Sequence, residues 1–302
     1  MSRLKIRLKS PWTTSMENEY AVFSREFPAE EADGLLCEWA PDGELRTFPR
    51  KKAWYCCEPW CQFRGLGNGS WPVVRDELGA AEFLWHGHQD PRYRVPHVTH
   101  VGALSVNGSQ DRLPKAVAIV SNHGGNPLKR HPDISYRNGL VTLPNVDLFG
   151  RHGWRAYRRC WYSLPAAPQN YRGELPGDWP GAEKRSLMSR YQVCICLENM
   201  NETGYFTEKF VEAVCAGCIP VYRASADIRD GVLQGACWFD PTDSRWPGKL
   251  AVEAALAADA ESIRRINSQW LQQSRLLQAT SAEQVFRRIG QIFHEHQEES
   301  GC

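Results

Sequence analysis

The hydrophobic pattern of the chain changes character near residue 115. Before that point, apolar residues occur in short runs typical of strands, at Leu4–Leu8, Ala53–Cys57 and Phe83–Trp85, with little helical periodicity. After it, apolar runs alternate with segments whose apolar residues recur at helical spacing. Because strands that alternate with helices build parallel sheets, the second part predicts a doubly wound α/β domain.

The later segments can be assigned one by one. The predicted strands are Lys115–Asn122, Val146–Phe149, Tyr191–Leu197, Ile219–Tyr222 and Ala236–Phe239. The predicted helices are Thr207–Ala216, Leu250–Ala258, Ala260–Leu277 and Ala282–Glu298. We expect two α/β domains: residues 1–110, and residues 111–302 with the terminal helices. The polar segment Leu104–Pro114 is the linker candidate between them.

Composition narrows the classes of partner. The 302 residues carry 36 basic and 35 acidic side chains, a net charge of +1, which does not favour nucleic acid as a partner. Eleven scattered cysteines are typical of reduced thiols rather than of a disulfide framework. The first residues contain no apolar run as long as a signal peptide or membrane span. We therefore expect a cytoplasmic protein without a membrane span. Peripheral association with a membrane is compatible with this expectation.

The segment from Tyr191 to Tyr222 carries the candidate chemistry. It reads as a buried strand, a polar loop, a helix that Thr207 can cap, and a second buried strand, with Gly217 ending the helix. In an open α/β sheet, ligands bind beyond the carboxyl ends of the strands. The amino end of a helix at that position suits phosphate.

Five polar residues of this segment are not explained by the helix or the strands: Glu198, Asn199, Tyr205, Glu208 and Lys209. A cation in the first turn, as at Lys209, opposes the helix dipole unless an anion lies between them. A phosphate shared by the lysine and the free backbone N–H groups would remove that conflict. The alternative is a solvated Glu–Lys pair at a helix start.

At this point the sequence resembles a known family. ENMNETGYFTEKFVEAVCAGCIPVY is similar to the signature of the α1,3/1,4-fucosyltransferases, glycosyltransferase family ten. AIVSN (Ala118–Asn122) and VDLFGR (Val146–Arg151) are similar to two further blocks of that family in the same order, so the resemblance spans roughly residues 115–240. It implies the GT-B architecture, in which two Rossmann-like α/β domains face a cleft.

The resemblance also implies a reaction and its residues. The family transfers L-fucose from GDP-β-L-fucose, with inversion, to a hydroxyl of an N-acetylglucosamine or glucose unit in a glycan. Carried over by position, the residues implied at the GDP-sugar are Ser121, Asn122, Arg151, Glu198, Asn199, Tyr205, Glu208 and Lys209. Arg151 and Lys209 would hold the diphosphate, whereas Glu198 would support the loop or the sugar.

Two positions near the donor depart from the family pattern. Arg223-Ala224 stands where the family has Trp-Gly or Leu-Gly, and Met200 replaces a serine. These departures leave open a transferase that uses another GDP- or nucleotide-sugar. A carbohydrate-binding protein that has lost catalysis is a further alternative.

The leaving diphosphate needs its negative charge offset. Because the donor region has no DxD motif, we expect Arg151, Lys209 and the helix terminus to replace a divalent metal. No metal site and no tightly bound cofactor is therefore expected, with GDP-fucose as a substrate.

An inverting displacement also needs a general base and an acceptor site. The resemblance implies that Glu58 is the base, since it follows the strand Ala53–Cys57 where the family carries its glutamate. Alternative bases in the same part of the chain are His86, His88 and Asp90. The residues that we expect to contact the acceptor are Trp54, Trp60, Trp85, His86 and His88.

Overall fold

The computed structural model describes residues 3–38, 43–56, 81–88, 90–108, 111–122, 131–151, 153–160, 162–175 and 182–300, with side chains to residue 295. The chain divides into two compact units. The first contains Met1–Gly102, Glu202–Phe206 and Leu276–Cys302. The second contains Ala103–Asn201 and Thr207–Arg275.

The elements follow in chain order. The strands are β1 (Leu4–Lys9), β2 (Ser15–Glu17), β3 (Ala21–Ser24), β4 (Gly34–Glu38), β5 (Lys51–Cys56), β6 (Glu82–Trp85), β7 (Leu113–Ile119), β8 (Val146–Phe149), β9 (Tyr171–Gly173), β10 (Tyr191–Ile195) and β11 (Ile219–Val221). The helices are α1 (Gly43–Thr47), α2 (Pro132–Val141), α3 (Ala182–Met188), α4 (Glu208–Cys215), α5 (Ala226–Asp230), α6 (Lys249–Ala257), α7 (Ala260–Gln273), α8 (Arg275–Gln278) and α9 (Ala282–Ser300), and a 3₁₀ turn covers Pro91–Tyr93.

The first unit is built on a six-stranded sheet in the order β2-β3-β1-β4-β5-β6. Only β2 runs antiparallel to its neighbour. Along β1 the side chains of Leu4, Ile6 and Leu8 are buried and alternate with more exposed ones, as the pleat requires. β4 is buried along its whole length, as is typical of an inner parallel strand.

The second unit contains a parallel five-stranded sheet in the order β11-β10-β7-β8-β9. β8 and β9 extend the sheet to one side of β7, whereas β10 and β11 extend it to the other. The strand order therefore reverses between β7 and β10. Polar loops that leave the carboxyl ends at such a switch point form the usual ligand crevice of a doubly wound sheet.

Most predicted elements are confirmed, and the sequence analysis was right that both parts are α/β and that the second contains a parallel sheet. Two segments differ. Ala236–Phe239 forms only an isolated bridge, between Phe239 and Val221. The segment Ala260–Leu277 is interrupted at Ser274, whose extended backbone ends α7.

The terminal helix lies in the first unit, whereas the sequence analysis placed residues 111–302 in one domain. The apolar stripe of α9, which includes Val285, Phe286 and Ile289, packs in one core with β1 and β3. An amphipathic helix joins the sheet that buries its apolar face, and sequence order does not decide which sheet that is. In the described part of the chain, no helix is long and apolar enough to span a membrane.

The packing of α9 can be tested by substitution of Phe286, which is 1% exposed and contacts Phe23 edge-on at 5.2 Å between ring centroids. We expect Phe286→Ala to destabilise the first unit by about 3–5 kcal/mol, the usual cost of removing a core aromatic ring. Hydrogen exchange should then accelerate in β1 and β3 but not in β7 and β10. Glu283→Gln on the exposed side of α9 serves as the control, and accelerated exchange confined to β7 and β10 would contradict the assignment of the helix.

Candidate functional site

Glu198 is the centre of the polar edge in the second unit. It follows β10, and its carboxylate is buried. It accepts hydrogen bonds from the backbone N–H of Thr207 at 2.9 Å, from the Thr207 hydroxyl at 2.7 Å and from the Tyr222 hydroxyl at 3.2 Å. The Lys209 ammonium lies 3.0 Å from its other side. One carboxylate therefore joins the ends of β10 and β11 to the start of α4.

Lys209 is held inside this cluster rather than exposed at the helix start. Its side chain is 16% exposed, and Nζ donates to the Thr207 hydroxyl at 2.8 Å and lies 3.3 Å from Glu208. Burial alone would lower the pKa of Lys209, but Glu198 and Glu208 outweigh burial and raise that pKa above its ordinary value of 10.5. The Lys209 ammonium thus stays charged at neutral pH.

This arrangement changes two expectations. Thr207 occupies the N-cap position of α4, but its hydroxyl donates to Glu198 and makes no capping hydrogen bond. The positive charge of Lys209 is shared by two carboxylates, so an intramolecular contact explains why a lysine tolerates the first turn. The contact between Lys209 and a donor phosphate remains a prediction.

A pocket lies at the switch point of the five-stranded sheet. It is an open depression of about 200 Å³, a volume that includes space continuous with solvent, and its lining residues are Asp133, Leu197, Glu198, Met200, Asn201 and Arg223. They come from the first turn of α2 and from the segments that follow β10 and β11. This is the ligand position that the doubly wound topology predicts.

Arg223 is fixed at the pocket by two neighbours. Its Nη1 lies 2.6 Å from Asp133 Oδ1, and its guanidinium lies 5.4 Å from the centroid of the Tyr136 ring. The other Asp133 oxygen accepts the backbone N–H of Asn201 at 2.9 Å. Arg223 therefore contacts Asp133 through Nη1 and the Tyr136 ring through its guanidinium, and a guanidinium carries four further N–H donors besides the one bonded to Asp133.

The sequence analysis missed Asp133 and Arg137, because it assigned no element to the mixed polar and apolar stretch that forms α2. Buried Arg137 donates to the side chain of Asn199 and, at 2.9 Å, to the carbonyl of Ser121. These bonds join the segments that follow β7 and β10. For Met200 and Arg223 the sequence did indicate a position near the donor, since both depart there from the family pattern.

Other predicted donor residues shape the same edge without lining the pocket. Asn122 is buried, and its side chain bonds to Asn138 at 3.0 Å and to the Gly153 carbonyl at 2.9 Å. Arg151 follows β8 directly after Gly150. A Cβ at Gly150 would lie 1.9 Å from the Val120 carbonyl oxygen, so only glycine permits this approach of the two strand ends.

Tyr205 belongs to the first unit and not to the group around Glu198. Its buried ring lies between two imidazoles, 5.2 Å from His86 and 6.4 Å from His97 between centroids. His86 is 3% exposed. Burial, with a smaller effect of His97, lowers the pKa of His86 to about 3.

The residues that were predicted to contact the acceptor differ in how the structure places them. Trp54 is wrong as a sugar contact, because it is 1% exposed and packs on Phe83 in the core. Trp85 is half-buried, with its ring 4.7 Å from that of His86, and His88 bonds through Nδ1 to the backbone of Asp90. Glu58 and Trp60 lie outside the described residues.

Asp90 is a poor general base in this structure. Hydrogen bonds from Arg92 hold the pKa of Asp90 down at about 2, so the carboxylate binds a proton only weakly. Among the residues that the structure describes, no three His, Cys, Asp or Glu side chains lie close enough together to hold a metal ion.

Comparison with known proteins gives structural neighbours only, since no family model and no curated relative matches the chain. A crystal structure of an α1,3-fucosyltransferase matches with a TM-score of 0.53 at 15% identity, over 96% of this chain and 90% of that one. T4 phage BGT in complex with UDP-glucose matches at 0.50 and 13%, over 92% and 88%. An α-glucosyltransferase in complex with UDP and a 13-mer DNA matches at 0.51 and 12%, over 88% and 80%. The chain has the GT-B fold.

The role of Lys209 as the counter-ion of Glu198 can be tested by Lys209→Met. The variant leaves a buried carboxylate without its cation, so we expect the free energy of unfolding to fall by about 3–5 kcal/mol. The double variant Glu198→Gln/Lys209→Met removes both charges and should recover much of that loss. Lys249→Met breaks an exposed pair with Glu253 and should change the free energy, measured by urea unfolding, by less than about 1 kcal/mol.

His86 should make stability depend on pH. Its folded pKa of about 3 lies below the ordinary value of 6.5, so the unfolded chain binds the extra proton between these values. The stability that neutral His86 contributes is complete above pH 6.5 and is lost as the pH falls towards 3, by at most about 1.4 kcal/mol per pH unit. Urea unfolding at pH 7.5 and 5 should show a smaller loss in His86→Phe than in the wild type, and equal losses would contradict the assignment.

Proposed function

We propose that this protein is a nucleotide-sugar glycosyltransferase that moves L-fucose from GDP-β-L-fucose, with inversion, to a hydroxyl of an N-acetylglucosamine- or glucose-containing glycan. The observation that carries the proposal is the pocket at the switch point of the second sheet, lined by Glu198, Asn201, Asp133 and Arg223. The GT-B fold and the family-like segments at the same strand ends support it.

The cations at this edge would hold the diphosphate of the donor. The resemblance assigns the diphosphate to Arg151 and Lys209, and we add Arg223 because it lines the pocket itself. Arg223 is held by Asp133 and Tyr136 before any ligand binds, which reduces the entropy lost on binding. These groups would offset the charge that develops on the leaving diphosphate.

The sugar of the donor would lie against the remaining lining. Asp133 and Asn201 offer acceptors and donors for hydroxyl groups, and Met200 adds an apolar surface to the same pocket. A methyl group on an otherwise hydroxylated ring, as in a 6-deoxy sugar, matches this mixture of polar and apolar contacts. The lining therefore supports fucose over a fully hydroxylated hexose.

A second candidate keeps the reaction and changes the donor to another nucleotide sugar. Two observations support this candidate. Arg223-Ala224 stands where the family has Trp-Gly or Leu-Gly, and solved structures of the same fold contain UDP-glucose or UDP. One of those structures also contains DNA. We favour a glycan acceptor here, because a net charge of +1 offers little attraction for a polyanion.

Nucleotide binding tests the proposal. Titration calorimetry with GDP-fucose, GDP-mannose and UDP-glucose should show the tightest binding for GDP-fucose. Arg223→Met should lower that affinity at least tenfold, since a charge-assisted hydrogen bond is worth about 1.5–3 kcal/mol. Arg229→Met is the matched control, because the Arg229 side chain is 51% exposed and pairs with the exposed Asp230 away from the pocket lining.

The outcomes separate the alternatives. Tighter binding of UDP-glucose would select the second candidate. Binding of N-acetyllactosamine without binding of any nucleotide would indicate an inactive carbohydrate-binding protein. Equal affinities of the wild type and Arg223→Met would remove Arg223 from the site but keep the function.

A further inference from the structure

One face of α2 holds the segment that follows β10. Asp133 and Arg137 are four residues apart in this helix, so their side chains lie on the same face, about one turn apart. Asp133 Oδ2 accepts the backbone N–H of Asn201 at 2.9 Å, and Arg137 donates to the side-chain oxygen of Asn199. The segment 199–201 is therefore bound to the helix at both of its ends.

Each of these two side chains also holds a second strand end. The other oxygen of Asp133 lies 2.6 Å from Nη1 of Arg223, which follows β11. Arg137 donates through its other terminal nitrogen to the carbonyl of Ser121, which follows β7, at 2.9 Å. The helix thus contacts the segments that follow β7, β10 and β11, which are the three neighbouring strands at the switch point.

The held segment forms part of the pocket. Met200 and Asn201 belong to the pocket lining, together with Asp133 and Arg223. The Asp133 side chain is 16% exposed there. Arg137, by contrast, is 1% exposed and is not part of the lining. One side chain of α2 therefore holds the segment at the pocket, and the other holds it from a buried position.

A carboxylate beside a diphosphate needs an explanation, because like charges repel each other. The contacts of Asp133 provide one, since each of its two oxygens accepts a hydrogen bond from a different segment. A carboxamide has only one accepting oxygen, and its nitrogen donates. Asparagine at this position could hold either Arg223 or the N–H of Asn201, but not both.

We propose that Asp133 and Arg137 are positioning residues of the donor site. They fix Arg223 and the segment 199–201 before the donor binds, so that less conformational entropy is lost on binding. This inference rests on the proposed function, in which Arg223 contacts the diphosphate and Met200 and Asn201 contact the sugar. Asp133 then acts on the diphosphate through Arg223 and not by direct contact.

The direct test is the sign of the change in donor affinity in Asp133→Asn, measured by titration calorimetry with GDP-fucose. By charge alone, removal of a carboxylate beside a diphosphate should tighten binding. Loss of positioning should instead weaken binding by about three- to tenfold, since a long side chain would be ordered only when the donor binds. Asp230→Asn is the matched control, because it also separates a carboxylate from an arginine, but Asp230 is 74% exposed and outside the lining.

A double-variant cycle tests whether Asp133 acts through Arg223. When one residue acts through another, the second substitution adds little to the first. We expect Asp133→Asn/Arg223→Met to bind GDP-fucose within about 1.5-fold of Arg223→Met alone. A further loss as large as the one that Asp133→Asn causes in the wild type would overturn the role of Asp133.

Steady-state kinetics give a readout that a merely structural role would not move. With N-acetyllactosamine as the acceptor, Asp133→Asn should raise the KM of GDP-fucose and leave the KM of the acceptor unchanged. A merely structural role would lower kcat through the loss of folded enzyme and leave both KM values unchanged. Asp133→Glu keeps the charge but displaces the carboxylate. If Asp133→Asn fails to fold, an unchanged affinity of Asp133→Glu for GDP-fucose overturns the inference instead.

Arg137→Lys tests the buried point of attachment. Lysine keeps the positive charge but lacks the fork that reaches Asn199 and Ser121 together. We expect this variant to bind GDP-fucose about threefold more weakly or worse, while urea unfolding confirms that it folds. A folded variant with wild-type affinity would remove Arg137 from the proposal.

Nucleotide binding by the wild type separates this inference from the proposed function. Wild-type protein that binds no nucleotide overturns both. Normal binding by the wild type, with equal or tighter binding by Asp133→Asn, overturns only the positioning role of Asp133.

Discussion

The buried carboxylate of Glu198 is the constraint on which the polar edge of the second unit depends. Removing a carboxylate from water costs several kcal/mol unless hydrogen bonds and a counter-ion replace its hydration. Here the replacement comes from Thr207 and Lys209 at the start of α4 and from Tyr222 directly after β11. These contacts tie the end of β10 to the start of α4 and to the end of β11, and the pocket lies beside them.

The two sheets follow one topological rule. In each sheet the strand order reverses beside one strand, which is β1 in the first sheet and β7 in the second. The loops that follow the strands on the two sides of this point leave the sheet in two directions. The backbone cannot fill the space between these exits, so side chains line it. In the second unit they include Asp133 and Arg223. The proposed donor site is thus a consequence of topology that particular polar residues make chemically distinct.

Local pattern was enough to predict much of the fold. β7, β8, β10, β11 and α4 were assigned close to their observed bounds, because continuous apolar runs and helical spacing depend on neighbours in sequence. Glu198 was also singled out, as a charged residue directly after a buried strand. Short elements such as β2 and β9 were missed, since three residues carry too little periodicity to predict a strand.

The sequence by itself determined the α/β class, the order of β7, β8, β10, α4 and β11 along the chain, and the polar segment that follows β10. Only the tertiary structure decided what those polar groups contact. It paired Lys209 with Glu198, put Trp54 in the core and added α9 to the first sheet. The physical reason is that secondary structure follows periodicity over a few residues, whereas burial and ion pairing depend on residues far apart in the chain.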